Sequence, residues 1–198
     1  MNNQQGTLKY IEIVPKIWED LGKIPRLGWK GTSDPETFQE RTINCINFII
    51  DNVDNLPEFS EKDILEIIVM LEVADFPATI NKEQVFINTS DEKKRYKLKA
   101  EKFKRNYEAM FTITKPLSKI GQEIFDDWLC FEKGEDESAI FARQLRKYCT
   151  VERALQYQQK GENINAKDFV DYYKIEITHP FLMKKLNKIE EQIKVPQN

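Results

Sequence analysis

The sequence predicts an all-α helical bundle, and three observations predict it. Apolar residues recur at helical spacing in one segment after another, period-two alternation is essentially absent, and the helical segments are bounded by capping residues, glycines and prolines. The 198 residues, 40% hydrophobic and 32% charged, suit one domain spanning 1–198 with enough chain to bury a core. No internal repeat or low-complexity block interrupts it.

The stretch 60–76, SEKDILEIIVMLEVADF, is the expected centre. Ser60 suits an N-cap with Asp63 completing a capping box, and Glu61 and Asp63 face the positive helix end. Ile64, Ile67, Ile68 and Leu71 follow at helical spacing, with Leu65 and Val69 widening the apolar face. Glu72 and Asp75 close this greasy helix, and a buried carboxylate without a partner is expensive.

In chain order, a first helix is expected over 8–21, with Ile11, Val14, Ile17, Trp18 and Leu21 on one side and Pro15 as a kink or stop. Residues 22–31, rich in Gly and Pro, form a loop. Asp34 as N-cap and Pro35 at the first helical position start a second helix to about Asn52, with Phe38, Ile43, Ile46, Phe48 and Ile49 facing inward. Pro57 breaks the chain before the central helix. Residues 77–88 are irregular, with an extended piece over 84–87. Ser90 caps a charged helix over 91–112, and further helices follow over 116–131 and 137–160, the latter stopped by Gly161. A short aromatic helix over 168–173 precedes a last one opening at His179-Pro180. Ile46, Ile49, Ile67, Ile68, Leu71 and Leu145 are the expected core.

A net charge of −3 gives no global attraction to nucleic acid or anionic membrane. No apolar run is long enough to span a bilayer, and the N-terminus lacks the parts of a secretion signal. Cys45, Cys130 and Cys149, odd in number and far apart, suit free thiols in a reducing compartment. The expected location is intracellular, cytoplasmic or nuclear, with no membrane. His179 is the one histidine, so a multi-histidine metal site cannot be built.

Several strings resemble the HD-domain metal-dependent phosphohydrolases, nearest the branch of the 5′-deoxynucleotidases and HD-domain-containing protein 2. Residues 21–29, LGKIPRLGW, resemble that family's L-K-x-x-P-R-x-G-W loop, and residues 35–41, PETFQER, stand where it has P-E-S-V-x-D-H. The central helix ends where the family writes H-D-x-x-E. Residues 141–146, FARQLR, take the place of F-x-x-Q-L-D, and Thr178-His179-Pro180 resembles N-H-P. The resemblance covers about 18–193 and implies an HD-domain-like bundle.

It also implies where this chain departs. The family holds its metal with a histidine, a His-Asp pair and a later aspartate; those positions here read Arg41, Leu71, Glu72 and Arg146. Arginine offers only donors, leucine none, and Glu72 alone is not a site for a divalent ion. The family's catalytic glutamate falls on Asp75, and a second downstream acid falls near Ile80. The resemblance therefore implies no metal, no cofactor and no inherited catalytic set. It places Arg41 and Arg146 near Glu72 and Asp75, where guanidinium forks can pair a carboxylate bidentately. In a shifted register both arginines would be plain surface residues.

Arg26 and Trp29 belong to a loop that helps bind nucleotide in related enzymes; they are ligand-binding candidates, against the simpler reading that Trp29 packs on the core. His179 suits a cap or packed residue rather than a catalytic one. The basic run Lys93, Lys94, Arg95, Lys97 and Lys99, continued by Lys102, Lys104 and Arg105, could hold nucleic-acid phosphates with Tyr96 and Phe103 stacking. Its simpler reading is a solvated face that docks on an acidic partner.

These readings converge on a degenerate HD domain, a catalytically silent pseudo-phosphohydrolase. It would act as an interaction or regulatory subunit with a protein partner, homodimeric or heteromeric, and could keep nucleotide binding. A metal-dependent phosphohydrolase of (deoxy)nucleoside monophosphates is the first alternative, and a nucleic-acid-binding subunit using 93–105 the second. Trp128, Phe131, Phe169, Tyr172 and Tyr173 are the aromatic residues expected at a subunit contact.

Overall fold

A computed structural model describes residues 3–82 and 91–194. The expected extended piece over 84–87 and the Ser90 cap lie outside the described residues. Within them, helices account for the architecture and the β-type pairing is limited to two isolated bridges. The order is α1 (Asn3–Leu21), α2 (Phe38–Asn52), α3 (Glu61–Val73), α4 (Ala78–Asn81), α5 (Glu92–Thr114), α6 (Ser118–Lys133), α7 (Glu137–Gln159), α8 (Ala166–Tyr173) and α9 (Pro180–Lys194). Single 3-10 turns sit at Leu27–Trp29, Val53–Asn55 and Lys115–Leu117.

α1 continues through Pro15. Proline removes one ladder bond and frees the Ile11 carbonyl, and both residues are exposed, so water satisfies what the ring displaces. α2 starts three residues later than expected. The chain over 34–37 stays extended because Arg26 N donates to the Glu36 carbonyl at 2.9 Å and Phe38 N to the Ile24 carbonyl at 3.2 Å. Thr37, not Asp34, is the N-cap, in a capping box with Glu40. α3 begins as its sequence requires: Asp63 N donates to Ser60 Oγ at 3.3 Å and Ser60 N to Asp63 Oδ2 at 2.8 Å. α7 is closed by Gly161, whose φ of +79° is costly for a residue with a Cβ.

Two apolar clusters fill the bundle. One joins α2, α3, α7, α8 and α9 around Ile49, Ile67, Leu71 and Leu145; the other joins α1, α5 and α6 around Leu21, Met110, Leu117 and Trp128. α3 serves both, Ile67 and Leu71 entering the first and Val73 the second, which makes it the central helix. At the α5–α6 corner Gly121 lets the chains close up, since a Cβ there would lie 2.1 Å from the Thr114 carbonyl oxygen.

Ile46 and Ile68 of the expected core, and Ile43 of the inward face expected for α2, fail to bury fully. Ile46 and Ile68 are only half-buried, and their neighbours Ile43, Ile50, Leu65 and Val69 are exposed. α2 and α3 each keep one flank toward solvent, so the buried stripe is narrower than the apolar one. The aromatic argument for a subunit contact also loses its premise. Trp128 and Phe131 are buried inside the chain, Phe169 and Tyr173 are half-buried, and Tyr172 alone of the five is exposed.

Candidate functional site

The turn that follows α3 delivers Asp75 into the bundle, where its side chain is 9% exposed. Arg41 from the first turn of α2 and Arg146 from the middle of α7 converge on it. Arg41 Nη2 donates to Oδ1 and Oδ2 at 2.6 and 2.5 Å, and Arg146 Nη2 to the same oxygens at 2.6 and 2.7 Å. Each guanidinium thus straddles the carboxylate with one nitrogen, and the fork-to-fork geometry is not adopted. Two cations sharing one small anion leave no room for it, and Arg41 Nε is left buried without a hydrogen-bond partner.

Aromatic rings seat the guanidiniums. Arg41 lies over Phe38 at 5.2 Å from the ring centroid and Arg146 over Phe131 at 5.1 Å. Burial pushes the Asp75 carboxyl up from its ordinary value, while Arg41, Arg26 and Lys102 oppose that rise.

Glu72, one turn earlier, is not part of this cluster. It is half-buried and makes no ion pair among the described residues, and burial alone pushes its carboxyl up. The expected pairing of the arginines therefore falls on Asp75 and not on Glu72. Leu71 is a fully buried core residue and Ile80 is exposed on α4.

The Pro-Arg-x-Gly-Trp loop is built around a second buried acid that sequence reasoning missed. Glu36 Oε2 accepts from Arg26 Nη1 and, at 3.0 Å, from Trp29 Nε1. Its Oε1 accepts from Asn44 Nδ2 at 3.2 Å and faces Arg153 Nε at 3.9 Å. Arg26 Nη2 also donates to Thr150 Oγ1 at 3.1 Å, tying the loop to α7. Trp29 is buried, stacked on Phe169 with centroids 5.1 Å apart. Burial and the nearby Arg41 charge push the Arg26 guanidinium down from its ordinary value. Packing is thus the main occupation of Trp29, although it and Arg26 border the cavity described next. The signal for Glu36 was available in Pro35-Glu36, but nothing local distinguishes it from a surface acid.

Asp75, Arg41 and Arg146 open into a cavity of about 390 Å³. Its cationic wall continues from α5 with Lys102 and Arg105 and from α7 with Arg143, and Glu132 is its other acid. The basic run is therefore divided. Lys93, Lys94, Arg95, Lys97, Lys99 and Lys104 are exposed and outside the cavity lining, whereas Lys102, also exposed, and half-buried Arg105 border the cavity. His179 is removed from it. Its Nε2 lies 2.7 Å from Glu58 Oε1, its ring stacks on Phe59, and its backbone N–H donates to Gln144 Oε1 at 2.8 Å at the start of α9.

Two solved structures share this arrangement of helices. The PH0347 protein from Pyrococcus horikoshii OT3 superposes with a TM-score of 0.67 at 20% identity, covering 92% of this chain and 97% of its own. A predicted metal-dependent phosphohydrolase from Magnetospirillum magnetotacticum MS-1 gives 0.67 at 16% identity, covering 95% of each chain. The fold is an HD-domain-like helical bundle. No family model matches the sequence, and no curated protein does.

The second of these structures is of a predicted metal-dependent phosphohydrolase, but the donor set of this chain does not fit a metal. Among the described residues no three His, Cys, Asp or Glu side chains gather closely enough to hold an ion. Asp75, one of the two acids at the cavity, has both oxygens engaged by guanidiniums that would repel a dication. Among the described residues, no helix is long and apolar enough to cross a membrane.

Proposed function

We propose that this chain is a catalytically silent protein of the HD-domain-like fold, a degenerate relative of the 5′-deoxynucleotidase branch. It acts by binding, as an interaction or regulatory subunit. The observation that carries the reading is the Arg41–Asp75–Arg146 cluster. Hydrolysis in a metal-dependent site needs a cation that holds and acidifies water and a free carboxylate to take its proton. Here Asp75, where the resemblance puts the catalytic carboxylate, is buried under two permanent cations. Arginine also cannot give up a proton to become a ligand or a base.

One observation favours a second reading, a metal-dependent phosphohydrolase of (deoxy)nucleoside monophosphates: the chain shares its fold with a predicted metal-dependent phosphohydrolase. Release of phosphate from deoxynucleoside monophosphates, with manganese or cobalt added, separates the two. The binding reading expects no release above the protein-free rate. Turnover that disappears in Glu72→Ala would establish the hydrolase instead.

A further inference from the structure

We infer that the cavity beside Asp75 is a metal-independent receptor for a small molecule carrying a diphosphate or two closely spaced phosphates. The inference rests on the proposal that the chain acts by binding, and it names what this cavity binds.

The charges decide the ligand class. Arg41 and Arg146 together carry one more charge than the Asp75 they share. Lys102 and Arg105 line the cavity without an ion pair or hydrogen bond among the described residues, and Arg143 spends Nη1 on the Phe131 and Glu132 carbonyls instead of on an acid. Glu132 is the opposing acid, and burial pushes its carboxyl up from the ordinary value, which weakens its claim on these cations. A surplus of this size, on walls supplied by α2, α5 and α7, suits an anion of two or more charges; one carboxylate would leave most of it uncompensated. Guanidinium and ammonium donors on several walls are the usual means of holding phosphate oxygens.

The cavity volume, about 390 Å³, lies within the range of roughly 300–1,000 Å³ that small-molecule sites occupy. Phe169 and Tyr173 of α8 add ring surface to its lining. A phosphorylated molecule with a flat or apolar portion therefore meets complementary chemistry at both ends. The arginines stand where they can take the phosphate charge directly, and no bridging ion is required.

The test is titration calorimetry of the full chain in EDTA with pyrophosphate, inorganic phosphate, ADP and adenosine. Pyrophosphate and ADP are expected to bind at one equivalent, at least tenfold tighter than phosphate, with adenosine undetectable and affinity falling as salt rises. Lys102→Ala/Arg105→Ala, which changes partly exposed side chains outside the core, should weaken both by tenfold or more. Circular dichroism should show an unchanged fold. Absence of pyrophosphate and ADP binding in EDTA overturns the inference, as does binding that needs a divalent ion or is indifferent to the double variant. The proposal that the chain is catalytically silent is judged separately by phosphate release, so either can fail without the other.

Discussion

Two buried carboxylates, Glu36 and Asp75, are both answered by arginine and behave differently. Glu36 is met by a mixed set: Arg26, the Trp29 indole, the Asn44 amide and, farther off, Arg153. Three of these donors come from its own loop and the helix following it. Among the described residues the Asp75 carboxylate accepts side-chain hydrogen bonds from Arg41 and Arg146, on two separate helices, with cation charge to spare and an Arg41 Nε unsatisfied. The first has both carboxylate oxygens hydrogen-bonded within a network that closes a loop over the core, although Arg153 Nε beside it is, like Arg41 Nε, buried without a hydrogen-bond partner. The second is over-supplied with positive charge and faces a cavity, which is how a site for an anion is arranged. Burial is nearly equal in the two, so the character of the donors, and not depth, separates structure from site.

Breaking Glu36 should cost most. Glu36→Ala strands the Arg26 charge and the Trp29 Nε1–H together, and destabilisation of about 3–5 kcal/mol is expected in denaturant unfolding. Asp75→Asn leaves two guanidiniums without their anion but beside a cavity that water can enter, so about 3 kcal/mol is expected. Unlike the Glu36 change, it removes negative charge from the cavity and should tighten pyrophosphate binding. Arg146→Ala should cost about 2 kcal/mol, because Arg41 still holds Asp75 and a single charged hydrogen-bonding partner is lost.

The smallest effect sharpens the contrast through pH. Glu132 faces Lys102, Arg143 and Asp75, and burial raises its carboxyl in the folded chain. The folded state then holds this proton more tightly than the unfolded one, so its contribution to stability declines as pH rises from the ordinary carboxylate value through the raised one. Glu132→Gln should remove that decline and gain on the order of 1 kcal/mol above the window. Thermal melts across pH 4–8 measure it.

Much of the fold was legible because helix periodicity and caps are local. Ser60 with Asp63, and Gly161 after α7, mark their ends without reference to the rest of the chain. The start of α2 was not legible. Its Asp34-Pro35 signal is overridden by pairing of 25–26 with 36–37 and by Tyr157, whose hydroxyl accepts from Glu36 N at 2.8 Å across 121 residues. Arg41 and Arg146 could be placed near the acids of α3 only through resemblance. Which acid they choose depends on the turn after Val73 swinging Asp75 inward, a step that spacing along α3 does not contain. Lys102 and Arg105 looked like the rest of their basic run, and only the docking of α5 on α6 distinguishes them.

Manganese titration followed by electron paramagnetic resonance of the free ion tests the central claim most directly. A cavity whose acid is held by two guanidiniums should take up no stoichiometric manganese at millimolar ion, and Asp75→Asn should change nothing in that uptake. One equivalent of tightly held manganese, lost in Asp75→Asn or Glu72→Ala, would contradict the account and restore a metal-dependent site.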